Sequence, residues 1–101
     1  MNDYGLPIWG NSNFTIDSEG RVCLNTDFKP ALIDMVNEIR DDGIRGPILL
    51  RFPHLIKKQI VEIYSNFARA RKEFEYKGEF HAVYPLKVNQ YPGFVKNLVK
   101  L

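Results

Sequence analysis

From Pro47 to Leu101, short apolar runs alternate with helical stripes, and that order restricts this half of the chain to few folds. Pro47-Ile48-Leu49-Leu50-Arg51-Phe52 reads as a short strand. Pro53 then opens a long helix. Its apolar positions, Leu55, Ile56, Ile60, Ile63, Tyr64, Phe67 and Phe74, recur at helical spacing, with Lys57, Lys58, Glu62 and Arg69 on the polar face. Arg69, Arg71 and Lys72 gather late in this helix, where they suit the macrodipole. Gly78 is the expected stop, and the run from Phe80 to Val88 reads as a second strand. Tyr91-Pro92-Gly93 begins a further helix, with Phe94, Val95, Leu98, Val99 and Leu101 as its apolar positions. Strand, helix, strand, helix is a βαβ rhythm, which favours a parallel α/β arrangement.

The first half follows another pattern. Residues 1–12 are rich in Gly, Asn and Pro, with Tyr4, Ile8 and Trp9 as candidate anchors. Phe14 and Ile16 alternate with polar residues, Ser18-Glu19-Gly20 marks a turn, and Val22 and Leu24 alternate again. This predicts a β-hairpin. Pro30 stands where a first helical turn would begin, with Thr26 or Asp27 available to cap it. Leu32, Ile33, Val36 and Ile39 continue at helical spacing, and Gly43 supplies the stop. Asp17, Glu19, Asp41 and Asp42 read as ordinary polar ends of elements. The expected division is residues 1–46, hairpin and helix, and residues 47–101, strand–helix units.

Composition narrows the function classes. A chain of 101 residues makes at most one small domain, and 45% apolar with 13% aromatic residues is enough for a core. Fourteen basic against 12 acidic residues leave a net charge of +2, no electrostatic case for nucleic acid or an anionic membrane. The purely apolar runs are far too short to span a bilayer. Met1-Asn2-Asp3-Tyr4 has neither the basic start nor the apolar stretch of a signal peptide. The single cysteine, Cys23, excludes an internal disulfide framework and reads as a buried structural thiol. Together these points favour a soluble cytoplasmic protein. Because the last helix ends on Leu101 without a cap, the chain reads as a truncated piece of a larger protein.

Glycine-rich phosphate loops, dinucleotide fingerprints and metal-spaced Cys/His clusters are absent from the sequence. His54 and His81 lie 27 residues apart without an obvious acidic or cysteine partner. Lys87 is the notable candidate. In a strand it shares a face with His81, Val83, Pro85 and Asn89, while Phe80, Ala82, Tyr84, Leu86 and Val88 face the other way. A strand apolar on both faces is ordinarily buried on both. Pro85 counts against a regular central strand. Two readings stay open for Lys87: a solvated charge at a strand end, the common case, or an amine that acts as a nucleophile or forms a Schiff base. His81 either lines a cavity beside it or is a packed core histidine. Arg51 reads as a solvated arginine at a strand end.

Val83-Tyr84-Pro85-Leu86-Lys87-Val88-Asn89-Gln90 closely resembles the lysine segment of biosynthetic arginine decarboxylases, pyridoxal-phosphate enzymes of the alanine-racemase-like group. Tyr4-Gly5 with Trp9-Gly10, Phe14-Thr15-Ile16, Gly20-Arg21-Val22 and Leu49-Leu50-Arg51-Phe52-Pro53 are similar to further family segments in the same order. The resemblance implies an N-terminal β-hairpin plus the first βα units of a (β/α)8 barrel, cut short against the roughly 250 residues of a full barrel. It implies that Lys87 forms the internal aldimine with pyridoxal 5'-phosphate at the C-terminal end of the first barrel strand, with His81 and Asn89 beside the cofactor. It further implies L-arginine as substrate, agmatine and carbon dioxide as products in polyamine biosynthesis, a homo-oligomer when full length, and Mg2+ dependence with no ligand assignable here. The family's phosphate-binding loop and guanidinium-recognising acids have no counterpart, so the isolated chain is expected to be inactive. Two rivals accompany this reading. One is a non-enzymatic α/β module that binds a protein partner through exposed apolar surface. The other is a related decarboxylase for lysine, ornithine or diaminopimelate, against which the Tyr84-Pro85 pair favours arginine.

Overall fold

The computed structural model describes residues 3–101. Met1 and Asn2, the start of the N-terminal segment read above, lie outside the described residues. Two compact units divide the chain, one up to Leu50 and one from Arg51.

In the first unit a single helical turn, α1 (Leu6–Trp9), precedes a hairpin of β1 (Phe14–Ile16) and β2 (Val22–Leu24). The strands are antiparallel, pairing Phe14 with Leu24, Thr15 with Cys23 and Ile16 with Val22. The predicted hairpin therefore forms at its predicted positions. The Trp9 ring meets the hairpin at Phe14, 5.4 Å away, while its indole Nε1 donates back to the Tyr4 carbonyl ahead of α1 at 2.8 Å. Ile8 is no anchor, being 92% exposed.

After β2 the backbone doubles back. The Leu24 amide donates to the Pro30 carbonyl at 3.0 Å, and Ala31 bridges Cys23. That bridge holds Ala31 extended, so Ala31 is the N-cap and α2 (Leu32–Asp41) starts two residues later than a first turn opening at Pro30. Neither Thr26 nor Asp27 caps it; the N-cap position carries no side-chain cap. Gly43 ends α2 as expected. With φ +88 it lets its own amide reach Arg40 and the Ile44 amide reach Ile39, a Schellman closure. Cys23, Leu24 and Ala31 are the buried hydrophobic core.

The second unit holds α3 (Pro53–Glu73) and α4 (Pro92–Lys100), which pack on each other. Both begin with proline in the first turn, where the missing N–H is no loss. α3 ends at Glu73, ahead of the predicted stop at Gly78, because Glu75 takes the left-handed conformation (φ +52). The Glu75 amide then closes on Lys72 at 3.3 Å and the Tyr76 amide on Arg71 at 2.9 Å.

The two strands expected over 47–52 and 80–88 do not form; β1–β2 is the sheet of the described residues. A parallel strand exists only through ladder bonds to a neighbour, and here side chains fasten the segment to helices instead. Phe80 stacks on Phe67 of α3 at 4.1 Å and meets the edge of Tyr64 at 5.2 Å. The Ala82 amide donates to the Tyr64 hydroxyl at 3.3 Å, and Tyr84 lies against Phe94 of α4 at 5.7 Å. Phe80 and Tyr84 are thus the part-covered residues of this segment, while His81, Ala82 and Val83 between them stay exposed.

Candidate functional site

Lys87 sits in the middle of a turn, Leu86 to Val88, between the Phe80–Tyr84 segment and α4. The Val88 amide closes this turn on the Pro85 carbonyl at 3.0 Å. Proline suits such a corner because it needs no partner for an N–H. Both flanks are pinned. Upstream, the Tyr84 hydroxyl donates to the Asn89 carbonyl at 3.1 Å. Downstream, Asn89 accepts the Tyr91 amide on Oδ1 at 3.2 Å, just before Pro92 opens α4. Arg51 lies over the Tyr91 ring, with 4.3 Å from guanidinium carbon to centroid. A hollow of about 340 Å³ beside the turn is lined by Leu86, Gln90, Pro92, Val95 and Lys96.

The Lys87 amine is exposed, and no hydrogen bond or ion pair of the described residues engages it. The buried-strand environment expected for it is therefore replaced by an open turn. Asn89 is half-buried and bonds Tyr84 and Tyr91, which flank the turn. His81 is exposed, with Nε2 3.1 Å from Oε2 of Glu79, and makes no such bond to Lys87. His54 meets Phe52 edge-on at 6.1 Å at the start of α3.

A second polar cluster lies in the first unit. Asp17 accepts the Glu19 and Arg21 amides on Oδ1 at 3.0 and 2.9 Å, and the Arg21 Nε on Oδ2 at 2.7 Å. Those bonds, the Arg21 amide foremost, hold its carboxyl below the usual carboxylate range. Arg21 also reaches Glu19 at 3.4 Å and Asp34 of α2 at 3.5 Å. Burial pushes the Cys23 thiol up, as befits a structural cysteine. Among the described residues no group of three or more His, Cys, Asp or Glu is placed to hold a metal, and no helix is long and apolar enough to cross a membrane.

Sequence reasoning missed Asp17 as the organiser of the hairpin loop, although Asp followed by Gly three residues later is a turn signal. It also missed Tyr84 and Tyr91 as the residues whose hydrogen bonds to Asn89 flank the Lys87 turn. Asn89 two residues before the Tyr91-Pro92 helix start was the available hint.

The fold and site define a small mixed α/β segment that presents an unpaired lysine on a braced turn ahead of a helix. Its sequence and structure match the N-terminal segment, of about 100 residues, of biosynthetic arginine decarboxylase. The chain is similar to the crystal structure of the biosynthetic arginine decarboxylase SpeA from Campylobacter jejuni, with 71% identity and a TM-score of 0.89 over 99% of this chain and 17% of that one. It is 37% identical to the biosynthetic arginine decarboxylase of Tolumonas auensis over 96% of this chain, and 35% identical to that of Xanthomonas axonopodis pv. citri over 94%. The chain spans 16% of the length of either relative. No family model matches it.

Proposed function

We propose that this chain is the cofactor-lysine segment of a pyridoxal-phosphate-dependent decarboxylase that converts L-arginine to agmatine and carbon dioxide. The segment would enter a (β/α)8 barrel as its hairpin lead-in and first βα units, in an enzyme of polyamine biosynthesis. The observation that carries the reading is the 71% identity to the Campylobacter jejuni enzyme across 99% of this chain, a span that includes Lys87.

The donor chemistry of the turn fits the aldehyde end of the cofactor. That end needs a primary amine free of competing partners, and Lys87 supplies one on a turn tied by three hydrogen bonds. Bound pyridoxal phosphate supplies the conjugated ring that takes up the electron pair left when a carboxylate departs as carbon dioxide. Lys87 binds the cofactor through its amine. Asn89 orients Lys87 through the Tyr84 and Tyr91 bonds. His81, with one ring nitrogen at Glu79, offers the other as donor or acceptor.

The test is a chimera in which this chain replaces the matching segment of the Campylobacter jejuni enzyme. It is expected to release labelled carbon dioxide from carboxyl-labelled arginine. Lys87→Ala and Lys87→Arg are both expected to fall to background, the arginine variant because it keeps the charge without a reactive amine. An active Lys87→Ala chimera would remove the assignment.

A further inference from the structure

We propose that Arg51 is a positioning residue for Lys87 that acts through the ring of Tyr91. The inference rests on the role given to Lys87 above. Arg51 closes the run Leu49-Leu50-Arg51, 36 residues before the lysine. No carboxylate lies within ion-pair reach of it among the described residues. Its guanidinium instead covers the Tyr91 ring, 4.3 Å from the centroid. A planar, weakly hydrated guanidinium is the cation best suited to such stacking.

Tyr91 is the point where that contact reaches the turn. It is the N-cap residue of α4, and its amide donates to Asn89 Oδ1 at 3.2 Å. Asn89 in turn holds the Tyr84 hydroxyl at 3.1 Å, and between Tyr84 and Asn89 lies the Pro85–Val88 turn with Lys87 inside it. Fixing the Tyr91 ring fixes the Asn89 amide, and through it the turn's downstream end. The contact belongs to the ring, so the Tyr91 hydroxyl is dispensable and the aromatic face is required.

The experiment uses the full 101-residue chain and two readouts. One is solvent exchange of the Val88 amide, whose bond closes the turn. The other is the share of pyridoxal phosphate fixed by borohydride at Lys87 relative to Lys57 and Lys58, read by peptide mass spectrometry. Arg51→Gln and Tyr91→Leu are each expected to speed Val88 exchange and lower the Lys87 share roughly two- to fivefold, the range of an exposed cation–π contact. Tyr91→Phe should match the native chain, and the double variant Arg51→Gln/Tyr91→Leu should go no further than either single one. Unchanged circular dichroism excludes general unfolding. If Arg51→Gln leaves both readouts at native values, the inference is overturned. A native chain in which Lys87 labels no better than Lys57, with Val88 still responding to Arg51→Gln, keeps the brace and removes the cofactor role.

Discussion

Asp17 shows how one carboxylate organises a loop that reads as plain polar sequence. It takes two amides and a guanidinium, and Arg21 carries the attraction onward to Asp34. Its folded pKa is lowered, so the stabilisation is present above the unfolded value of about 3.9 and is lost as pH falls through the folded value. Asp17→Asn is therefore expected to weaken the first unit at pH 7 and to flatten its loss of stability as pH falls below the ordinary carboxylate range. Urea unfolding followed by Trp9 fluorescence at several pH values checks this; parallel pH curves for native and variant chains would contradict it. Cys23 was legible as a buried thiol from the habit of free cysteine, although the Val22/Leu24 alternation puts it on the other face, which Ala31 covers. Asp17 was not, because its partners are backbone amides, which leave no mark in side-chain pattern. The turn around Lys87 was not legible either, since an apolar run says nothing about whether a neighbouring strand is there to pair with it.

Elements obeyed local chemistry wherever that chemistry was decisive. Pro53 and Pro92 start helices, Gly43 stops one, and the hairpin keeps its register. Departures have two sources: the Cys23–Ala31 bridge delays α2, and the left-handed turn that ends α3 falls on Glu75, a residue that does not announce it, three positions before Gly78. Glu75 and Gly43 occupy equivalent left-handed positions, which cost a residue with a Cβ roughly 1–2 kcal/mol. The two sites therefore predict opposite signs. Glu75→Gly should stabilise α3 by about 1 kcal/mol, and Gly43→Ala should destabilise α2 by about the same, although a Cβ there meets open space. Denaturation followed by circular dichroism decides the matter, and a destabilised Glu75→Gly chain would show that the side chain carries something the backbone argument omits.

At the scale of the whole molecule, the order of the hairpin and the three longer helices was legible, while the second half's missing strands and the distribution of burial were not. Every buried hydrophobic side chain of the described residues belongs to the first unit; the second has none. Its apolar stripe is the predicted one, yet Phe67 is 49% and Phe74 78% exposed. Helical periodicity identifies which face wants burial and is silent on what buries it. A helix of this length draws most of its stability from packing of that face, so the long α3 should be less protected than the short β2. Hydrogen exchange on the 101-residue chain is expected to find the slowest amides at Cys23 and Leu24, with α3 opening well below the energy that opens β2. The same chain should release no carbon dioxide from arginine. Carried in the Campylobacter jejuni enzyme, α3 should slow to the range of β2, because its stripe would then be covered. An α3 that is already the most protected element in the isolated chain would mean that the unit stands without cover, and would favour the reading of this chain as a self-sufficient binding module.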